Sequence, residues 1–173
     1  METALVVVVP EAAALAEPWL ERTVLPKPSI GVPAHVTLLY PFVAAAAVDE
    51  ALLAELGALF ARFEAFDFTL VRTSRFPGVL YLAPEPAARF LALTEAIVAR
   101  WPEHPPYEGE HDEVVPHLTV AEGEPEVLDA AETDVAPGLP VVARAREAVL
   151  LEEREPGWVR WGPRASFPLG HEP

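Results

Sequence analysis

The sequence predicts an α+β fold built from two related lobes, and three observations carry that prediction. A unit of apolar strand, Pro-Glu, helix, loop, proline and His-x-Thr strand occurs twice, once from Leu5 and once from Val79. Residues Phe66 to Thr73 alternate apolar and polar in the manner of a half-buried strand. Val141–Glu152 and Trp158–Trp161 read as strands joined around Pro156-Gly157, the signature of a hairpin. Short turns beside longer crossovers favour antiparallel pairing over a doubly wound parallel sheet.

The elements follow in order. Leu5 to Val9 is β-branched, apolar and bounded by Pro10, as a buried strand is. Pro10-Glu11 then opens an Ala-rich helix to about Trp19 or Glu21. A loop with Pro26, Pro28, Gly31 and Pro33 leads into the strand His35–Tyr40, which Pro41 stops. Asp49 is placed to cap a helix with Leu52, Leu56, Leu59 and Phe63 on one stripe. In the second unit, Val79–Ala83 is the strand and Pro84-Glu85 the expected helix start. Phe90, Leu93, Ile97 and Trp101 recur at helical spacing before Pro102. A loop from Glu103 to Val115 precedes the strand His117–Ala121, and Pro125 to Glu132 reads as a short helix. The domain expectation is one unit, 1–173, with pseudo-symmetric lobes of about 1–75 and 76–173 between which terminal strands can cross.

Composition narrows the chemistry. The 173 residues include no cysteine, which excludes disulfides, thiolate nucleophiles and cysteine-based metal sites. The first apolar run is too short to span a bilayer and has no basic flank, so the expectation is a cytoplasmic protein without a membrane partner. A formal net charge of −15, with Lys27 the only lysine, argues against long nucleic acids, whose binding requires many neutralising cations. Any phosphate substrate should therefore be small, and the chain is expected to work as a monomer.

In a strand, residues i and i+2 share a face. His35 projects with Thr37, and His117 with Thr119. If the halves pack about a pseudo-two-fold axis, two imidazoles and two hydroxyls converge on one cleft. That set suits displacement at phosphorus. With a reference pKa of about 6.5, one imidazole can accept a proton from water while the other donates to the departing oxygen. Threonine hydroxyls can hold the non-bridging oxygens. Proton transfer and hydroxyl dipoles take the place of Lewis-acid help, so no cofactor and no metal are expected.

These stretches, Pro33–Phe42 and Val115–Val120, resemble the 2H phosphoesterase superfamily, in particular its 2′-5′ RNA ligase-like, cyclic phosphodiesterase branch. Phe76–Leu82 and Phe167–Gly170 are similar to it as well. The resemblance implies antiparallel sheets facing a central cleft, helices outside, and hydrolysis of 2′,3′-cyclic phosphates or related small nucleotide phosphodiesters without metal. It makes His35 and His117 the acid and base and Thr37 and Thr119 the phosphate ligands. By analogy His35 is the acid and His117 the base, an order the residues themselves leave open.

Further candidates lie outside the two motifs. Arg72, Arg75 and Arg160 could bind substrate, as could Arg144 and Arg146, because a guanidinium fork matches phosphate oxygens. Each could equally be a surface charge paired with a carboxylate. Tyr107 could stack on a base, donate to phosphate or pack its own loop. Alternation puts Tyr40 in the core, opposite His35. His111-Asp112-Glu113 offers a metal-dependent alternative but reads as a solvated loop, and His104 and His171 look incidental. Trp158 and Trp161 read as hairpin packing, with the alternative that one of them lines the cleft. The other class of function is a non-catalytic nucleotide-binding module.

Overall fold

The computed structural model describes residues 1–22, 31–109, 114–155 and 160–170. Strands β1 (Thr3–Val8), β2 (His35–Leu39), β3 (Phe66–Phe76), β4 (Val79–Glu85), β5 (Leu118–Glu122), β6 (Val141–Ala145), β7 (Glu147–Glu155) and β8 (Arg160–Pro168) form two antiparallel sheets. Their orders are β2-β1-β7-β8 and β5-β4-β3-β6. Helices α1 (Ala13–Leu20), α2 (Glu50–Phe60), α3 (Ala87–Arg100) and α4 (Pro125–Val135) complete the α+β fold. In both sheets the His-x-Thr strand lies at an edge beside the first strand of its repeated unit. Position for position, β2, β1, β7 and β8 correspond to β5, β4, β3 and β6.

One face of each sheet joins the helices in a single core. Leu5, Val7, Val36 and Leu38 from the first sheet meet Leu80, Leu82, Leu118 and Val120 from the second. The predicted stripe of α3 is buried in full, through Phe90, Leu93, Ile97 and Trp101. Asp49 accepts a hydrogen bond from the Leu52 amide at 2.8 Å, capping α2 as its sequence indicates. The halves interlock. Helix α1 packs against β5, and α3 packs against β2 as well as β4.

Three local readings differ from the sequence expectation. Pro84 and Glu85 continue β4 instead of opening a helix, and α3 starts only at Ala87. Pro84 fits because it lies on the core face opposite Leu70, at the irregularity in β3 where ladder bonds are interrupted. The expected strand Val141–Glu152 is two strands: β6 belongs to the second sheet and β7 to the first, with Arg146 between them. No glycine or proline marks that switch. Finally, β5 begins at Leu118, so His117 stands at its mouth.

Candidate active site

The opening residue of β2 and the residue before β5 carry the two imidazoles. Along β2, His35 and Thr37 are half-buried while Val36 and Leu38 are fully buried, so the former face the space outside the core. The same holds for His117 and Thr119 against Leu118 and Val120. Strand register agrees with the shared face, with His35 opposite Val8, Thr37 opposite Val6, and Thr119 opposite Tyr81.

A bulge follows each motif at the equivalent position. Leu5 pairs with Leu39 but Val6 with Thr37, leaving Leu38 as the extra residue. Leu80 pairs with Ala121 but Tyr81 with Thr119, leaving Val120 extra. Each bulge reverses the in–out alternation beyond it. Tyr40 is consequently not on the opposite face from His35, as unbroken alternation requires, but on the same one. It joins Val6, Val8, Val149 and Leu151 in a second apolar cluster, with its ring 6.0 Å from Trp161. Its hydroxyl donates to Glu2 at 2.6 Å. In the second half the reversal puts Glu122 opposite Val79 on the Thr119 side, where burial pushes its carboxyl above the usual range.

The two histidines are held alike. His35 Nδ1 lies 2.8 Å from the Pro33 carbonyl, and His117 Nδ1 lies 2.7 Å from the Val115 carbonyl. A carbonyl only accepts, so Nδ1 must carry the hydrogen in both rings. The remaining nitrogen, Nε2, is then a proton acceptor in the neutral ring and a donor in the cation. The loop before His35 is fixed in turn: Ala34 donates to Glu17 of α1 at 3.1 Å, and its carbonyl accepts from Val9 at 2.8 Å.

Burial holds His35 below the usual histidine range. The Pro33 carbonyl opposes that shift and the nearby His117 adds to it. Burial likewise lowers His117, against the pull of Val115. A charge on His117 thus adds to the cost of protonating His35.

The other candidates are distributed unequally. Arg72 is on the His117 face, opposite Ala83, and pairs with Glu85 at 2.8 Å. Arg75 is opposite the core residue Leu80, so it points away from that face and pairs with Asp129 and Glu132 of α4. Arg144 pairs with Asp67 at 2.8 Å, while Arg146 and Arg160 are exposed at strand ends. Tyr107 lies in a 3-10 turn, Pro106–Gly109, and its side chain is outside the described ones. Lys27, His111, Asp112, Glu113, Trp158 and His171 also lie outside the described residues. His104 borders a separate recess of 580 Å³ beside Phe42, lined by residues of neither motif. Among the described residues no group of three or more histidines and carboxylates is placed to hold a metal ion. No described helix is long and apolar enough to cross a membrane.

The family model of the 2′-5′ RNA ligase superfamily matches residues 8–157, most of the chain and both motifs. The protein belongs to that superfamily. Its members are 2H phosphoesterases, which supports a phosphodiesterase-type function. Solved structures share the fold. TT0787 of Thermus thermophilus is 23% identical with a TM-score of 0.67, covering 99% of this chain and 100% of that one. E. coli LigT complexed with 3′-AMP is 16% identical with a TM-score of 0.62, covering 98% of each chain. A structure described as a phosphoesterase is 18% identical with a TM-score of 0.63 and the same coverage. No functionally curated protein matches the chain.

Sequence reasoning missed Phe76 and Tyr81 as neighbours of a motif histidine. Their rings stand perpendicular or tilted to His117 with centroids 5.1 and 5.5 Å away. The signal was present in the alternation of β4, which puts Tyr81 on the Thr119 face.

Proposed function

We propose that this protein hydrolyses small 2′,3′-cyclic phosphates, or related nucleotide phosphodiesters, by metal-independent acid–base catalysis from His35 and His117. The observation that supports the proposal is the matched pair of Nδ1–carbonyl hydrogen bonds, which leaves both Nε2 atoms available to accept or donate a proton. The neutral imidazole takes a proton from water as its oxygen attacks phosphorus. The protonated one gives its proton to the ribose oxygen as the P–O bond breaks, leaving a phosphomonoester. Thr37 and Thr119 donate hydrogen bonds to the non-bridging oxygens through the pentavalent stage. The acidic surface supports a small substrate over long RNA, and the 3′-AMP bound in LigT supports a nucleotide ligand.

The test is turnover of nucleoside 2′,3′-cyclic phosphates in EDTA by the parent protein, His35→Ala and His117→Ala. Chelator-resistant activity lost in both variants is the expected result. Binding without turnover would replace the proposal with a non-catalytic nucleotide module, and activity abolished by EDTA with a metal-dependent hydrolase.

A further inference from the structure

The two halves are alike in backbone, and among the described residues what surrounds their histidines differs. On the second sheet Thr119 faces Tyr81, Tyr81 faces Ser74, and the next pair on the same face is Val79 with Phe76. The corresponding residues of the first sheet are Val6 opposite Thr37, Val149, and the pair Ala4 and Leu151. Val6 and Leu151 therefore stand where the second half has Tyr81 and Phe76. Those two rings stack at 4.4 Å with 24° between their planes, and His117 meets Phe76 at 86°. Among the described residues His35 touches no aromatic ring.

A single hydrogen bond at Nδ1 fixes one point of an imidazole but lets the ring pivot about it. Pivoting sweeps Nε2 through an arc and spoils in-line proton transfer. An aromatic wall against the ring removes that freedom and keeps water from the flank. Phe76 is only half-buried, unlike its core-facing neighbour Leu80, so filling the core is not its main service.

We propose that Phe76, backed by Tyr81, is a positioning residue for His117, fixing the direction of Nε2 and shielding one side of the ring from water. The kinetic part rests on the function proposed above; the effect on the His117 ring does not. The experiment compares parent, Phe76→Leu, Phe76→Met and Phe76→Tyr. Imidazole titrations followed by NMR are assigned with His117→Gln, and kcat, KM and the pH–rate profile are measured on a nucleoside 2′,3′-cyclic phosphate.

Phe76→Leu should move the His117 titration up towards the ordinary range, because water gains access, and shift His35 less. It should lower kcat about tenfold with KM within about twofold, and move one limb of the pH profile. Phe76→Tyr should restore the parent behaviour, and Phe76→Met covers the case in which leucine impairs folding. An unchanged His117 titration in folded Leu and Met variants overturns the proposal, as does a loss of stability with the pH profile unmoved. If the titration shifts while the parent turns over no cyclic phosphate, the positioning role stands and the function proposed above falls.

Discussion

The hydroxyl of Thr94 is a sharp test of how the halves are joined. Thr94 lies on α3 of the second unit, is 5% exposed, and donates to the Leu38 carbonyl of the first unit at 2.8 Å. Leu38 is the bulged residue after His35-Val36-Thr37, so this bond meets a carbonyl at the point where the ladder is interrupted. Thr94→Val exchanges the hydroxyl for a methyl of similar volume, leaving no cavity but orphaning the carbonyl. That costs about 1–3 kcal/mol. Near the middle of that range, a chain of this size should melt roughly 4–8 °C lower. The measurement is urea denaturation, with calorimetry in parallel. The midpoint should fall without a change in slope, since the surface exposed on unfolding is the same. Thr94→Ser keeps the hydroxyl and should lose about 1 kcal/mol for the missing methyl. A Thr94→Val protein as stable as the parent, or a serine variant that loses as much as the valine one, would refute the argument.

Other predictions concern the site itself. His35 and His117 have depressed folded-state pKa values, so the unfolded chain binds more protons; folding stability should fall as pH drops below about 6.5. Urea midpoints across pH 5 to 8 should show that fall, and it should shrink in His35→Gln. Thr119→Val should lower kcat about a hundredfold while leaving the melting temperature nearly unchanged, as expected for a donor whose main service is at the transition state; a KM effect alone would assign it to ground-state binding. Arg75→Gln removes ion pairs with Asp129 and Glu132 on the face away from the motifs. It should reduce stability slightly, more at low salt, with turnover of a cyclic phosphate unchanged.

The sequence shows the repeated units and the residues on each motif face because both depend on local pattern. Strand periodicity and proline punctuation suffice for His35, Thr37, His117 and Thr119 to be grouped. Tyr40 is different. Its side of the sheet depends on the bulge at Leu38, and that bulge exists only in the pairing of β2 with β1. Nothing within Val36–Tyr40 announces it. The division of Val141–Glu152 at Arg146 is hidden for a similar reason, since two sheets compete for one continuous stretch of strand-forming residues. Arg75 follows the same lesson. Its neighbours in sequence leave its direction open, whereas pairing with Leu80 decides it.

The exchange of helices between the halves has a mechanical consequence. With α1 seated behind β5 and α3 behind β2, the two motif strands are braced from the back by helices belonging to the opposite unit. Spreading the sheets apart would peel those helices from buried apolar surface that they cannot cover elsewhere. That bracing resists any hinge opening that would move the two motif strands apart. On the function proposed above, a substrate would meet a span set in advance by the fold, with selection left to the side chains along its rim.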